Sequence, residues 1–194
     1  MKKLDRKDLF SLEKYSEIRD DFRLKVINHK KNRRLPIGPN ITLYFEDYLI
    51  MHYQVQEMLR AERIFELSGI DEELNVYNEL IPDGDNWKAT FMIEFPNEDE
   101  RRLALSKMLG IEDKVWLKID GFNEIYPISD EDLERESKNK TSAVHFLRFQ
   151  LNREMIGALK LGSQLSAGIE HHAYSYTTNP IPENIRKSLI LDLD

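Results

Sequence analysis

In SAVHFLRFQL, residues 142–151, Leu147, Phe149 and Leu151 recur at every second position. That is the period of a strand and not of a helix. His145 shares their side, so it points at the apolar face of the strand. Working upstream, KATFMIEF (88–95) is a second strand, stopped by Pro96. Between the two lies NEDERRLALSKMLG, a helix with Asn97 as its N-cap and Gly110 as its stop. KVWLKID and NEIYPI suggest a hairpin around Gly121-Phe122, and SDEDLERESKNK begins like a helix with three acids in its first turn.

Further upstream, ITLYFEDYLIMHYQ alternates over Ile41, Leu43 and Phe45, then passes Glu46-Asp47, which predicts a hairpin returning over 48–53. The first 35 residues carry Leu9, Leu12, Tyr15, Ile18, Phe22 and Val26 at helical spacing, with a break expected near Asp20. Downstream of the opening stretch come a helix over 152–161, the segment GIEHHAYSY, and a tail that can close in a short helix started by Pro182. Strands joined by tight turns, with helices between the pairs, predict an α+β fold: an antiparallel or mixed β-sheet packed by helices, with a helical N-terminus. Residues 1–176 are read as a single domain and 177–194 as a C-terminal tail.

The 194 residues carry a net charge of −7, and 41% are hydrophobic, which fits a globular chain long enough to bury a core. Without cysteine, thiolate catalysis, disulfides and Cys-ligated clusters are excluded. MKKLDRKDLF lacks the apolar run of a signal peptide, and no run approaches the ~20 apolar residues of a membrane span. The expected compartment is the cytoplasm, with no membrane partner.

VQEMLRAERIFE, residues 55–66, raises a chemical question. On one helix, Val55, Met58, Leu59 and Phe65 would share a face, with Glu62 in its middle and Glu66 one turn on. Buried carboxylates need a partner. Arginine is one candidate, from Arg60, Arg63, Arg33 or Arg148; a half-buried face open to water is another; a divalent metal is the third. His145, on its apolar strand face, and His171, in the Glu170-His171-His172 run, are the histidines to complete such a site, with iron, manganese or zinc as the ion. His145 is equally explained as a satisfied core residue.

HKKNRR (29–34) makes Lys30, Lys31, Arg33 and Arg34 candidates for anion or nucleic-acid binding. The net negative charge disfavours nucleic acid, and a solvated helix end explains the run as well. No phosphate-binding loop, nucleophile elbow or His-Glu-x-x-His motif occurs, so no reaction is assigned.

Taken together, LDRKDLFSLEKYSEIR, HKKNRR, YQVQEMLRAERIFE, LIPDGDNWKATFMIEFP, GIEDKVW and TSAVHFLRFQL resemble the bacterial domain-of-unknown-function family numbered 3501, over most of the chain. Where that family's pattern runs Asp-His-Pro, this chain has Glu170-His171-His172. The resemblance implies no established activity. It implies a setting beside rubrerythrin-like di-iron proteins and Fe–S oxidoreductases as partners, hence redox or oxidative-stress physiology, and it favours the metal reading, with iron first. The alternatives are a non-catalytic protein-interaction module with structural buried ion pairs, and an anion-binding module using residues 23–34.

Overall fold

The computed structural model describes residues 2–133, 135 and 139–194. Its elements run in the order α1 (Leu12–Lys30), β1 (Arg34–Pro36), β2 (Ile41–Phe45), α2 (Tyr48–Ala61), α3 (Leu67–Asn78), β3 (Asn86–Ile93), α4 (Glu98–Lys107), β4 (Val115–Ile119), β5 (Ile128–Ser129), β6 (Val144–Gln150), α5 (Arg153–Lys160), β7 (Leu165–His171), β8 (Tyr174–Thr178) and α6 (Glu183–Ile190). Short 3-10 turns occupy Arg6–Asp8 and Glu112–Lys114. The strands form an antiparallel five-stranded sheet, β1-β2-β3-β6-β5, and an antiparallel three-stranded sheet, β4-β7-β8. The fold is α+β.

The alternation read in the sequence sets which face of the large sheet is dry. Leu43, Phe45, Trp87, Ala89, Phe91, Leu147 and Phe149 are all buried, and they share one core with Leu117, Ile119, Ala167 and Ile169 of the small sheet. Leu105, Ile156, Leu159, Ile185 and Leu189, from α4, α5 and α6, complete it. The segment after residue 176 is therefore built into the core, and the indole N–H of Trp87 donates to the Leu189 carbonyl at 2.8 Å. The two sheets are also tied by Tyr174, whose hydroxyl donates to the Ile37 carbonyl at 2.7 Å. That approach needs Gly38, at φ +73°, because a Cβ there would lie 2.5 Å from the Tyr174 hydroxyl. A second apolar cluster (Leu4, Ile50, Met51, Val55, Leu59, Leu74 and Ile81) holds the N-terminal segment, α2 and α3 together.

Four local expectations are corrected. The hairpin over 41–53 is a strand followed by a helix. Asp47 is the N-cap of α2, accepting a 2.9 Å bond from the Ile50 amide, and Ile50, Met51, Val55 and Leu59 are buried at helical spacing. The break near Asp20 does not occur, and α1 runs unbroken for 19 residues. NEIYPI forms only an isolated bridge, Leu117–Ile125, while Ile128–Ser129 joins the large sheet instead. Residues 129–133 are not helical; Glu134, Glu136, Ser137 and Lys138, which the helix reading included, lie outside the described residues. No helix among the described residues is long and apolar enough to cross a membrane.

Candidate metal centre

The helix that was to carry Glu62 and Glu66 stops before them. Glu62 is the C-cap of α2, and Arg63 follows at φ 54°, where the helix cannot continue. Glu66 is the N-cap residue of α3. Both carboxylates are exposed, as is Phe65, so the apolar face that would have buried them does not reach this far. The structure does not gather them with the histidines.

His171 is buried at the end of β7 with both ring nitrogens engaged. Nε2–H donates to the Leu109 carbonyl at 3.0 Å, and Nδ1 accepts from the Ala173 amide at 3.2 Å. Burial pushes its pKa down, and the neighbouring His172 ring adds to that against the Leu109 bond. It is a neutral imidazole that closes the β7–β8 turn.

His145 does sit in a cluster of potential ligands. It projects from β6 into the core, fully buried, with its ring against the edge of Phe91. Its Nδ1–H donates to Asp130 Oδ2 at 2.6 Å. On the other side, Nε2 lies 2.8 Å from the Thr141 hydroxyl, 3.2 Å from the Ser142 carbonyl and 3.8 Å from Glu112 Oε2. One ligand atom each from Glu112, Asp130 and His145 falls within 4.8 Å of the others, and this is the only such group of three among the described residues.

Each partner arrives by a local device. Asp130 follows β5, which pairs with β6, and it adopts φ 50°, a left-handed conformation that Asp tolerates better than most residues. There its Oδ1 accepts from the Phe146 amide at 2.9 Å and from Arg135 at 3.2 Å, while its own amide donates to the Phe146 carbonyl. Glu112 opens the 3-10 turn ahead of β4 and is buried. Thr141 is buried too, its amide donating to the Leu105 carbonyl at the end of α4.

An aspartate orienting a histidine that faces a hydroxyl has the outline of an acid–base–nucleophile triad. With His145 at 0% and Thr141 at 2% exposure, however, no acyl substrate can approach the hydroxyl. Glu112, Asp130 and His145 are instead a group that could hold a metal ion. Sequence reasoning found His145 and missed Glu112, Asp130 and Thr141. Glu112 and Thr141 stand in GIEDKVW and TSAVHFLRFQL, two of the strings that carry the family resemblance, but their spacing follows no ligand motif.

The basic run divides in the same way. Arg33 is buried, at 2% exposure, and its guanidinium grips Asp192 through two bonds of 3.1 and 2.5 Å. It also donates to the Phe45, Glu46 and Ser188 carbonyls. Arg33 is therefore not available to an anion. Asp47 lies 3.6 Å from it and also bonds His29. Burial would raise the Asp47 pKa, but the His29 bond and the Arg33 charge more than offset this and hold it low. Lys31 and Arg34 are exposed, and Arg34 donates to the Tyr44 hydroxyl at 3.2 Å.

Comparison with known proteins agrees with this description of the fold. A crystal structure of a protein of unknown function from Burkholderia pseudomallei, solved at 1.90 Å, matches with a TM-score of 0.94 and 46% sequence identity over 100% of both chains. A search of curated proteins finds no significant match. The family model described as "Protein of unknown function (DUF3501)" matches residues 3–193, and the chain belongs to that family.

Proposed function

We propose that this protein binds one divalent metal ion, iron(II) first, between His145 and Glu112, and that it serves a redox system through that ion. The observation that carries the reading is the convergence of two carboxylates on one fully buried imidazole. Asp130 on Nδ1 fixes the ring and leaves Nε2 as the ligating nitrogen, as second-shell carboxylates do at metal sites. The 3.8 Å between Nε2 and Glu112 Oε2 suits an ion about 2.1 Å from each. The Thr141 hydroxyl and Ser142 carbonyl supply further oxygens. A nitrogen-and-oxygen donor set without thiolate suits iron(II), manganese(II) or zinc. The preference for iron, and partnership with rubrerythrin-like or Fe–S proteins, rests on the family resemblance alone.

One observation favours a second reading. Both nitrogens of His145 already have protein partners, so the ring can serve as a structural pin between β6 and the Asp130 turn. Anaerobic titration with iron(II), followed by metal analysis of the desalted protein, separates the two. The metal reading expects one ion per chain, lost in Glu112→Gln and His145→Gln and bound about 10- to 100-fold more weakly in Asp130→Asn. Glu62→Gln and Glu66→Gln are expected to bind normally. A wild-type protein that takes up no iron(II), manganese(II) or zinc, or one whose uptake survives both ligand changes, refutes it.

A further inference from the structure

The face of the large sheet turned away from the core carries a cavity of about 240 Å³ that the metal reading does not use. Lys30 at the end of α1, Tyr44 of β2, Glu46 in the β2–α2 link, Ile50 of α2, and Thr90 and Met92 of β3 line it, together with Arg33, whose guanidinium is already held by Asp192. Tyr44 and Thr90 are directly opposed in the β2–β3 register, so the cavity is founded on paired strands rather than on a loop. Its volume is below that of pockets for drug-sized ligands.

Two groups make it a built site. Glu46 is 8% exposed, and its Oε1 accepts a 2.6 Å bond from the Thr90 hydroxyl. Among the described residues its Oε2 accepts no protein hydrogen bond. The Glu46 backbone is pinned on both sides, its amide donating to the Lys88 carbonyl and its carbonyl accepting from Arg33. Burial pushes its pKa up and the Asp47 charge adds to this, while the Thr90 bond and the Lys30 and Arg33 charges oppose it. Lys30 lines the same cavity, half-buried, and its charge acts on Glu46 across it without an ion-pair contact among the described residues. An ammonium and a carboxylate thus face one cavity without touching, and between them Ile50 and Met92 offer an apolar wall.

We propose that this cavity binds a small zwitterion of the amino-acid class: its ammonium on Glu46, its carboxylate on Lys30, and an apolar side chain against Ile50 and Met92. A ligand carrying opposite charges at its two ends answers both unmatched groups at once, and its ammonium offsets the burial of the Glu46 charge. The preformed Glu46–Thr90 arrangement spares the ordering cost that weak small-molecule sites usually bear.

The test is a titration followed by backbone amide NMR, with L-alanine, L-valine and L-leucine as probes. Isopentylamine and 4-methylpentanoate serve as leucine analogues lacking the carboxylate and the amine. Shifts are expected at Tyr44, Glu46, Ile50, Thr90 and Met92, with affinity rising from alanine to leucine. Each analogue should bind about tenfold or more weakly, the worth of a charged hydrogen bond. Glu46→Gln should weaken leucine by about 10- to 100-fold and leave 4-methylpentanoate unchanged. Lys30→Gln should do the converse, weakening leucine and leaving isopentylamine unchanged. Neither change should alter iron(II) uptake at His145, so failure here is distinguishable from failure of the metal reading. Absence of shifts at about 10 mM, where even millimolar binding saturates, overturns the proposal. So does equal binding of leucine and both analogues.

Discussion

Replacing Arg33 by Met removes the guanidinium that joins the start of β1 to the C-terminal segment. Asp192, 3% exposed, then loses both of its bonds, and the Phe45, Glu46 and Ser188 carbonyls lose a donor. Breaking a buried pair from one side costs about 3–5 kcal/mol, because the abandoned charge stays desolvated. For a chain of this size that is a fall in Tm of about 6–20 °C. The loss should depend on pH in a defined direction. Burial, with Asp47 adding to it, already raises the Asp192 pKa to about 6 against the pull of Arg33. Without Arg33 the carboxyl protonates more readily still, so the penalty should be largest near pH 8 and should shrink toward pH 5. Urea unfolding of wild type, Arg33→Met and Arg33→Met/Asp192→Leu measures this. The double variant should recover more than half of the loss, since no charge is left stranded. Lys31→Gln, on an exposed neighbour, should stay within about 0.5 kcal/mol of wild type. A loss below about 1 kcal/mol for Arg33→Met would match a solvated surface pair and refute the reasoning. A double variant no better than the single one would refute it equally.

Two further outcomes follow from buried groups. His171 has a pKa below 6.5 in the fold, so its contribution is complete above pH 6.5 and is lost as the pH falls below that value; the stability difference between wild type and His171→Asn should shrink as the pH drops from about 7.5 to about 5. Gly168 stands opposite Trp116 in the β4–β7 register, and a Cβ there would lie 2.3 Å from the indole, so Gly168→Ala should cost about 1–3 kcal/mol by thermal unfolding.

What was legible in the sequence is what a few adjacent residues decide among themselves. The two-residue period of 88–95 and 142–151, the Asn97 cap and the Gly110 stop are local, and β3, β6 and α4 formed where they indicated. His145 was correctly aimed at the dry side of its strand for the same reason. Residues 46–53 carry both periods, and there the choice fell to the Asp47 cap together with the burial of Ile50 and Met51. Glu62 and Glu66 share a face only on a helix that continues. This one ends at Ala61, ahead of both, a boundary that periodicity locates poorly. The partners of His145 come from a turn beside β5 and from the entry to β4. Only the assembly of the sheets brings them to one point, and no spacing rule encodes it. Arg33 is the clearest case: within HKKNRR it reads as one more solvated cation, yet it is buried on an aspartate 159 residues away. Charge and period are properties of the chain, whereas burial and partnership are properties of the fold, because desolvation is fixed by whatever packs alongside.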